Sequence, residues 1–368
     1  MKKIRILIVG IVFMLCLQEP MTIQAAEQIR TEDIDQVLKK IIPEERISFN
    51  DIVVSLLSDE EKLEVELIGD YIIDTFFYIL RINKSTISYL LILIISAAIV
   101  TNFSNVFQNK QIAEVGFYMV YMLMIMTCLQ TFVNVFQMME ENIANLLTFM
   151  RVLSPVYFLS MSLSTGKVSA VGFYSLILLL IYVVELVILN GLLPMAHVYL
   201  MIQILNFLSS EMYLSKLSEL IEMLNSWALK TLLACVTGIG VLQGLMSPQA
   251  DAIKRGAATK VVNLFPAIGD ALGIAGEMMI NTAVFLKNGI GMAGSILLII
   301  LSLVPVMNVG ILVVIYKGMA ALVQPISDKR IVEILSSVGE TYKLLLKIIF
   351  AVLFLFLISI GLAAAFTT

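Results

Sequence analysis

A single histidine, His197, and three cysteines, Cys16, Cys128 and Cys235, are all that 368 residues hold of the usual metal-binding and redox side chains. With one histidine, a zinc site of the His-Glu-x-x-His type cannot be built. The cysteines stand in three separate apolar segments, so neither a disulfide framework nor a metal-ligand spacing is present. Charge is scarce as well. Asp, Glu, Lys and Arg make up 14% of the chain, against about 25% in soluble domains. The net charge of −4 is small and no basic stripe exists, which argues against a nucleic-acid partner. No phosphate-binding loop occurs either: Ser164-Thr165-Gly166-Lys167 lacks the glycine four residues before the Gly-Lys pair. Any ATP hydrolysis must come from another protein.

What the chain has in abundance is apolar surface. Sixty per cent of the residues are hydrophobic and the mean hydropathy is +0.97. This is the composition of an all-α, polytopic membrane protein. Lys2, Lys3 and Arg5 precede an apolar run, Ile6 to Leu17, and a small-residue finish at Ala26, the pattern of a secretory signal over residues 1–26. Residues 27–85 carry 14 acidic and 7 basic side chains and read as a small acidic, extracytoplasmic helical region. In it Ser48 with Asp51 resembles a capping box. Phe49, Ile52, Val53, Leu56 and Leu57 form one helical stripe, and Val65, Ile68, Ile72, Phe76 and Leu80 another.

Residues 86–368 form the polytopic domain, with about eight predicted spans: Ile87–Val106, Ala113–Phe136, Ile143–Ser164, Val168–Leu193, Ala228–Met246, Ala267–Leu286, Gly289–Ile315 and Ile348–Phe366. Arg151 and Pro155 interrupt the third. Met195–Leu208 is too short to cross and predicts a re-entrant or interfacial segment. His197, just after Pro194, is read as an interfacial histidine or a proton relay. Two amphipathic stripes, Tyr213 to Leu224 and Ile331 to Leu345, predict elbow helices on the membrane surface, the second starting from an Asp328 cap. With the acidic region outside, alternation places most loop lysines and arginines inside, Lys216, Lys230 and Lys287 excepted. That count requires Ala267–Leu286 to cross.

Ala267–Leu286 is the most polar of these segments. Asp270, Gly273, Glu277 and Asn281 share one helical face, while Leu272, Met279 and Phe285 lie opposite. A carboxylate at mid-depth costs several kcal/mol unless it meets protein or water. The face therefore lines a polar path or packs against another helix through its small residues. Glu185 and Asn190, five apart in Val168–Leu193, are the other candidates for such a role. The Phe265–Asp270 stretch approaches the Gly-x-Gly-Asp of membrane aspartyl proteases, but Ala267 breaks the motif.

The succession around this segment is specific. "QGL" follows a span at Gln243–Leu245, then come the basic "KRGAATK" (Lys254–Lys260), "NLFPAIGDAL" (Asn263–Leu272), "LKNGIGMAG" (Leu286–Gly294), a proline-bearing span and "IYKGMAALVQPISD" (Ile315–Asp328). In this order the chain resembles the stage III sporulation protein AE family of endospore-forming bacteria. The resemblance implies a non-enzymatic, permease-like component, without catalytic residues or cofactor, of the channel complex joining mother cell and forespore. It implies residence in the mother-cell membrane around the forespore. Its implied partners are other stage III sporulation channel subunits, among them a secretion-type ATPase and ring-forming proteins, and a forespore membrane protein. A homo-oligomer is expected, since eight helices hardly enclose a wide pore. A stand-alone secondary transporter and a non-conducting scaffold for partner rings are the rival readings.

Overall fold

The architecture is that of a computed structural model. It describes the backbone of residues 31–41, 48–49, 52–53, 65–103, 110–164, 167–208, 214–262 and 266–366. Within these, side chains are described except at 31–32, 65–72, 101–103, 110–113, 163–164, 167–169, 207–208, 243–262, 266–283, 285–286 and 365–366. The expected signal, residues 1–26, lies outside the described residues.

The described chain is helical. The longer elements are α1 (Thr31–Ile41), α2 (Val65–Phe103), α3 (Lys110–Ser164), α4 (Lys167–Val183), a π-helical segment (Val184–Leu192), α5 (Leu193–Leu208), α6 (Ser215–Val262), α7 (Pro266–Val323) and α8 (Lys329–Phe366). Six helical stretches among the described residues are long and apolar enough to cross a membrane. The chain is thus a multi-pass membrane protein.

Six differs from the expected eight because two pairs of segments merge. Ala113–Phe136 and Ile143–Ser164 lie on the one helix α3, and Ala267–Leu286 and Gly289–Ile315 on α7. Glu140 and Glu141 break the hydropathy of α3, but the joining residues are sound helix formers and hold no proline or glycine. Asn288 and Gly289 are likewise absorbed into α7. The reversal that the loop-charge count required between them is not made. The basic Lys254–Lys260 stretch is helical too, within α6.

Pro194 was expected to end a span, yet the chain runs on from α4 through the π segment into α5. Proline has no N–H and its ring collides with the carbonyl four residues back. The wider π turn accommodates this, and the Leu193 N–H donates to the Ile188 carbonyl, five residues back. Met195–Leu208 therefore extends a span instead of re-entering.

The predicted elbow helices are also continuous with spans. Ile331, Ile334, Leu335, Val338, Tyr342 and Leu345 are all buried at 0–1% exposure, so this stripe faces the bundle core and not a membrane surface. The second stripe falls at the start of α6, where Ile221 is buried and Leu217, Leu220 and Leu224 are exposed; its Tyr213 lies outside the described residues.

Helix α3 is the spine. At one end Phe117 and Tyr118 carry the Arg330 guanidinium, 4.4 and 5.2 Å from their ring centres. Further along, the Asn142 side chain donates to the Leu301 carbonyl (2.9 Å). Near the other end Leu153 and Tyr157 close on Gly294 and Gly291. These contacts run α7 antiparallel to α3. The α4–π–α5 rod is antiparallel to it as well: Phe158 packs against Tyr174 with tilted rings (4.9 Å), Arg151 pairs with Glu185, and Phe132 and Phe136 flank His197 (5.5 and 5.1 Å). Phe49, whose N–H donates to Asp35 (2.6 Å), joins Ile34, Leu38 and Val53 in fixing α1 to this core.

Helix α8 packs back along α7 after a short turn capped at Asp328, as expected: its Oδ1 accepts the Arg330 N–H (2.9 Å) and its carbonyl accepts the Ile331 N–H (3.0 Å). Burial disfavours the Asp328 carboxylate, but hydrogen bonds from the Arg330 side chain and backbone outweigh it and hold the group below the ordinary aspartate range. Such a cap stabilises above the unfolded pKa of about 3.9 and is lost as pH falls towards the lower folded value. Asp328→Asn is expected to flatten the acid limb of a melting-temperature profile in detergent; an unchanged limb contradicts the assignment.

At Gly339 α8 closes on α7: a Cβ there would lie 2.8 Å from Lys317 Cγ and 3.5 Å from its backbone nitrogen. Gly339→Leu is expected to destabilise the α7–α8 contact by about 1–3 kcal/mol. Gly310→Ala, with nothing within 4 Å, serves as the control and is expected to leave thermal unfolding unchanged or slightly raised.

Candidate functional site

Polar side chains inside an apolar helical bundle are the features that need a reason. The clearest group joins α3 to the π segment. Glu185, in the first turn of that segment, accepts a charge-assisted hydrogen bond from the Arg151 Nη2. The pair is half exposed, at 49% and 44%. It stands beside a proline in α3 and at the start of the π turn on the facing rod. On α3, Pro155 has no N–H for the Arg151 carbonyl, which takes the Ser154 hydroxyl (3.4 Å) instead. On the facing rod the turn has widened to π. Departures of this kind cluster at functional sites.

Asn190 is exposed at the far end of the π segment, five residues from Glu185. In i→i+5 winding, positions five apart come close to alignment. The structure therefore gives Glu185 and Asn190 a shared rod, but it ties only Glu185 to a neighbouring helix. Asp270, Gly273, Glu277 and Asn281 are placed on the N-terminal part of α7; their side chains lie outside the described residues.

A cleft of about 640 Å³ opens beside Arg151. Asp33, Gln36, Val37 and Lys40 of α1 form one wall, and Arg151, Val152, Pro155, Val156 and Leu159 of α3 form the other. Its polar side chains are Asp33, Gln36 and Lys40 on α1 and Arg151 on α3, and the rest of the α3 wall is apolar.

Two further polar groups went unnoticed in the sequence. Lys317 and Lys343 (3.3 Å) both pair with Glu340, tying α7 to α8, and Lys347 lies 3.8 Å from Glu222 of α6. Asn83 of α2 donates to Asn308 of α7 (3.2 Å), whose amide contacts the Met138 sulfur (3.3 Å). For Arg151 and Glu185 a signal did exist. Opposite charges stood in adjacent apolar segments, at comparable distances from the short 165–166 connection, and short connections make antiparallel neighbours. His197 has aromatic neighbours on two sides, an environment of packing more than of proton relay.

The family model described as Stage III sporulation protein AE matches residues 47–367. Stage III sporulation protein AE of Bacillus subtilis (strain 168) is 26% identical over 266 residues, covering 72% of this chain and 67% of that protein. No solved structure matches.

If the Arg151–Glu185 contact holds α3 to the π segment, Arg151→Glu and Glu185→Arg are each expected to lower the melting temperature in detergent. The double exchange is expected to recover more than half of the loss. Losses that simply add in the double variant contradict the contact.

Proposed function

The chain belongs to the stage III sporulation protein AE family, and from that premise we propose that it acts as the membrane-embedded, permease-like part of the channel complex between mother cell and forespore. The observation that carries this reading is the family match, which runs over nearly the whole chain and takes in the Arg151–Glu185 pair, the π segment and the polar part of α7. It is a non-enzymatic component, energised by a partner ATPase, and it resides in the mother-cell membrane with residues 27–85 outside the cytoplasm. Ring-forming subunits and a forespore membrane protein complete the path.

The length of the rods supports participation in an assembly. At 1.5 Å per residue the 55-residue α3 extends roughly 80 Å, against about 30 Å of bilayer hydrocarbon. Large apolar side chains are exposed on it from Val115 to Met126, a rise of roughly 17 Å, a length that one bilayer covers. The rest of the rod exceeds what a bilayer spans, and that length suits contact with other subunits or further copies of the chain. Within this reading Glu185, braced by Arg151, and Asn190 position the π rod. Asp270, Gly273, Glu277 and Asn281 line the path or seal a helix contact beside it.

Removal of the chain from an endospore-forming host is expected to abolish heat-resistant spores. Asp270→Ala with Glu277→Leu is expected to stop transport into the forespore while the chain accumulates and its partners still assemble. Full transport by that double variant contradicts the pathway role and favours a scaffold. Solute uptake by the isolated protein in liposomes favours a stand-alone transporter.

A further inference from the structure

The cleft between α1 and α3 is used by nothing described so far, and its chemistry is two-sided. Lys40 and Arg151 supply two cations to its lining, one from each wall. Arg151 contacts Glu185 through Nη2, and a guanidinium has five N–H donors in a planar fork that suits phosphate oxygens. The lining adds one acid, Asp33, so its charges sum to a single positive before Glu185 is counted. From there Val152, Pro155, Val156 and Leu159 carry an apolar wall along α3, with Val37 opposite. Pro155 and Leu159 are the exposed members of this wall.

A ligand matching these walls needs an anionic, hydrogen-bond-accepting head and an apolar tail. A small soluble anion leaves the wall empty, and a neutral lipid makes no use of Lys40 or of the Arg151 N–H groups that Glu185 does not take. We propose that this cleft binds the phosphate headgroup of an anionic membrane phospholipid, with Lys40 and Arg151 on the phosphate and an acyl chain along Val152–Leu159. The site couples the acidic N-terminal region to the membrane domain, because α1 and α3 each supply one cation. It is independent of the channel reading and stands or falls separately.

The test uses the full chain in detergent with short-chain phosphatidylglycerol, short-chain phosphatidylcholine or inorganic phosphate, read by thermal unfolding and by native mass spectrometry of retained lipid. Phosphatidylglycerol is expected to raise the melting temperature and to be retained. Lys40→Gln, an exposed substitution outside the Arg151–Glu185 pair, is expected to weaken its apparent affinity roughly fivefold. Val156→Trp, which fills the apolar wall, is expected to reduce retention while Lys40 and Arg151 remain. Equal retention by wild type and Lys40→Gln overturns the proposal, as does phosphatidylcholine matching phosphatidylglycerol. Stabilisation by inorganic phosphate alone, with no lipid retained, overturns the lipid reading in favour of a soluble phosphate ligand.

Discussion

Backbone hydrogen bonding is the constraint on which this structure depends. A chain that is 60% hydrophobic lives largely out of reach of water, and there every N–H and C=O must find its partner inside the protein. Continuing a helix satisfies those groups at once; stopping it leaves four donors or four acceptors at each end. The described chain follows that rule, with helices of 39, 55, 48, 58 and 38 residues in α2, α3, α6, α7 and α8. At Pro155 and Pro194 the freed group is met locally, by the Ser154 hydroxyl and by π bonding, and at Pro305 the freed Leu301 carbonyl is met by Asn142 of α3.

The rods then determine where chemistry is found. Long antiparallel helices meet at every level, so a polar group on one is answered by a polar group on another. Arg151 meets Glu185, Lys317 meets Glu340, Asn83 meets Asn308, and Asn142 meets the Leu301 carbonyl. In a medium of low dielectric such pairs fix register, because sliding one rod by a turn leaves charged or amide groups unpaired. Arg151 stands out among them, since its surroundings also include a cleft, an irregular turn and the N-terminal helix α1.

Hydropathy alone carried the class of the protein, the helical content and the location of most apolar stretches. It could not carry their connectivity. Glu140-Glu141 and Asn288-Gly289 lower the local hydropathy as a loop would, yet α3 and α7 run straight through them. The Ile331–Leu345 stripe had the right periodicity and the wrong assignment, because periodicity reports that a face is buried and not whether lipid or protein buries it. The Asp328 cap was legible since its chemistry is local. The Arg151–Glu185 pairing showed only as opposite charges in neighbouring apolar segments, because its partners are 34 residues apart and meet through the packing of two rods. The polar face at Asp270, Gly273, Glu277 and Asn281 rests on sequence spacing on a helix that the backbone bears out.

Continuity of α3 separates this account from an eight-span arrangement most sharply. Met126 and Leu159 are both exposed on that helix, at 69% and 49%, and accept spin labels without disturbing the core. Along an unbroken helix their 33-residue separation corresponds to roughly 50 Å. A pulsed electron paramagnetic resonance distance near that value, in lipid nanodiscs, is the result expected here. A distance of about 20 Å or less contradicts it, because it requires the chain to turn back between the two apolar halves of α3 as a pair of separate 20-residue spans.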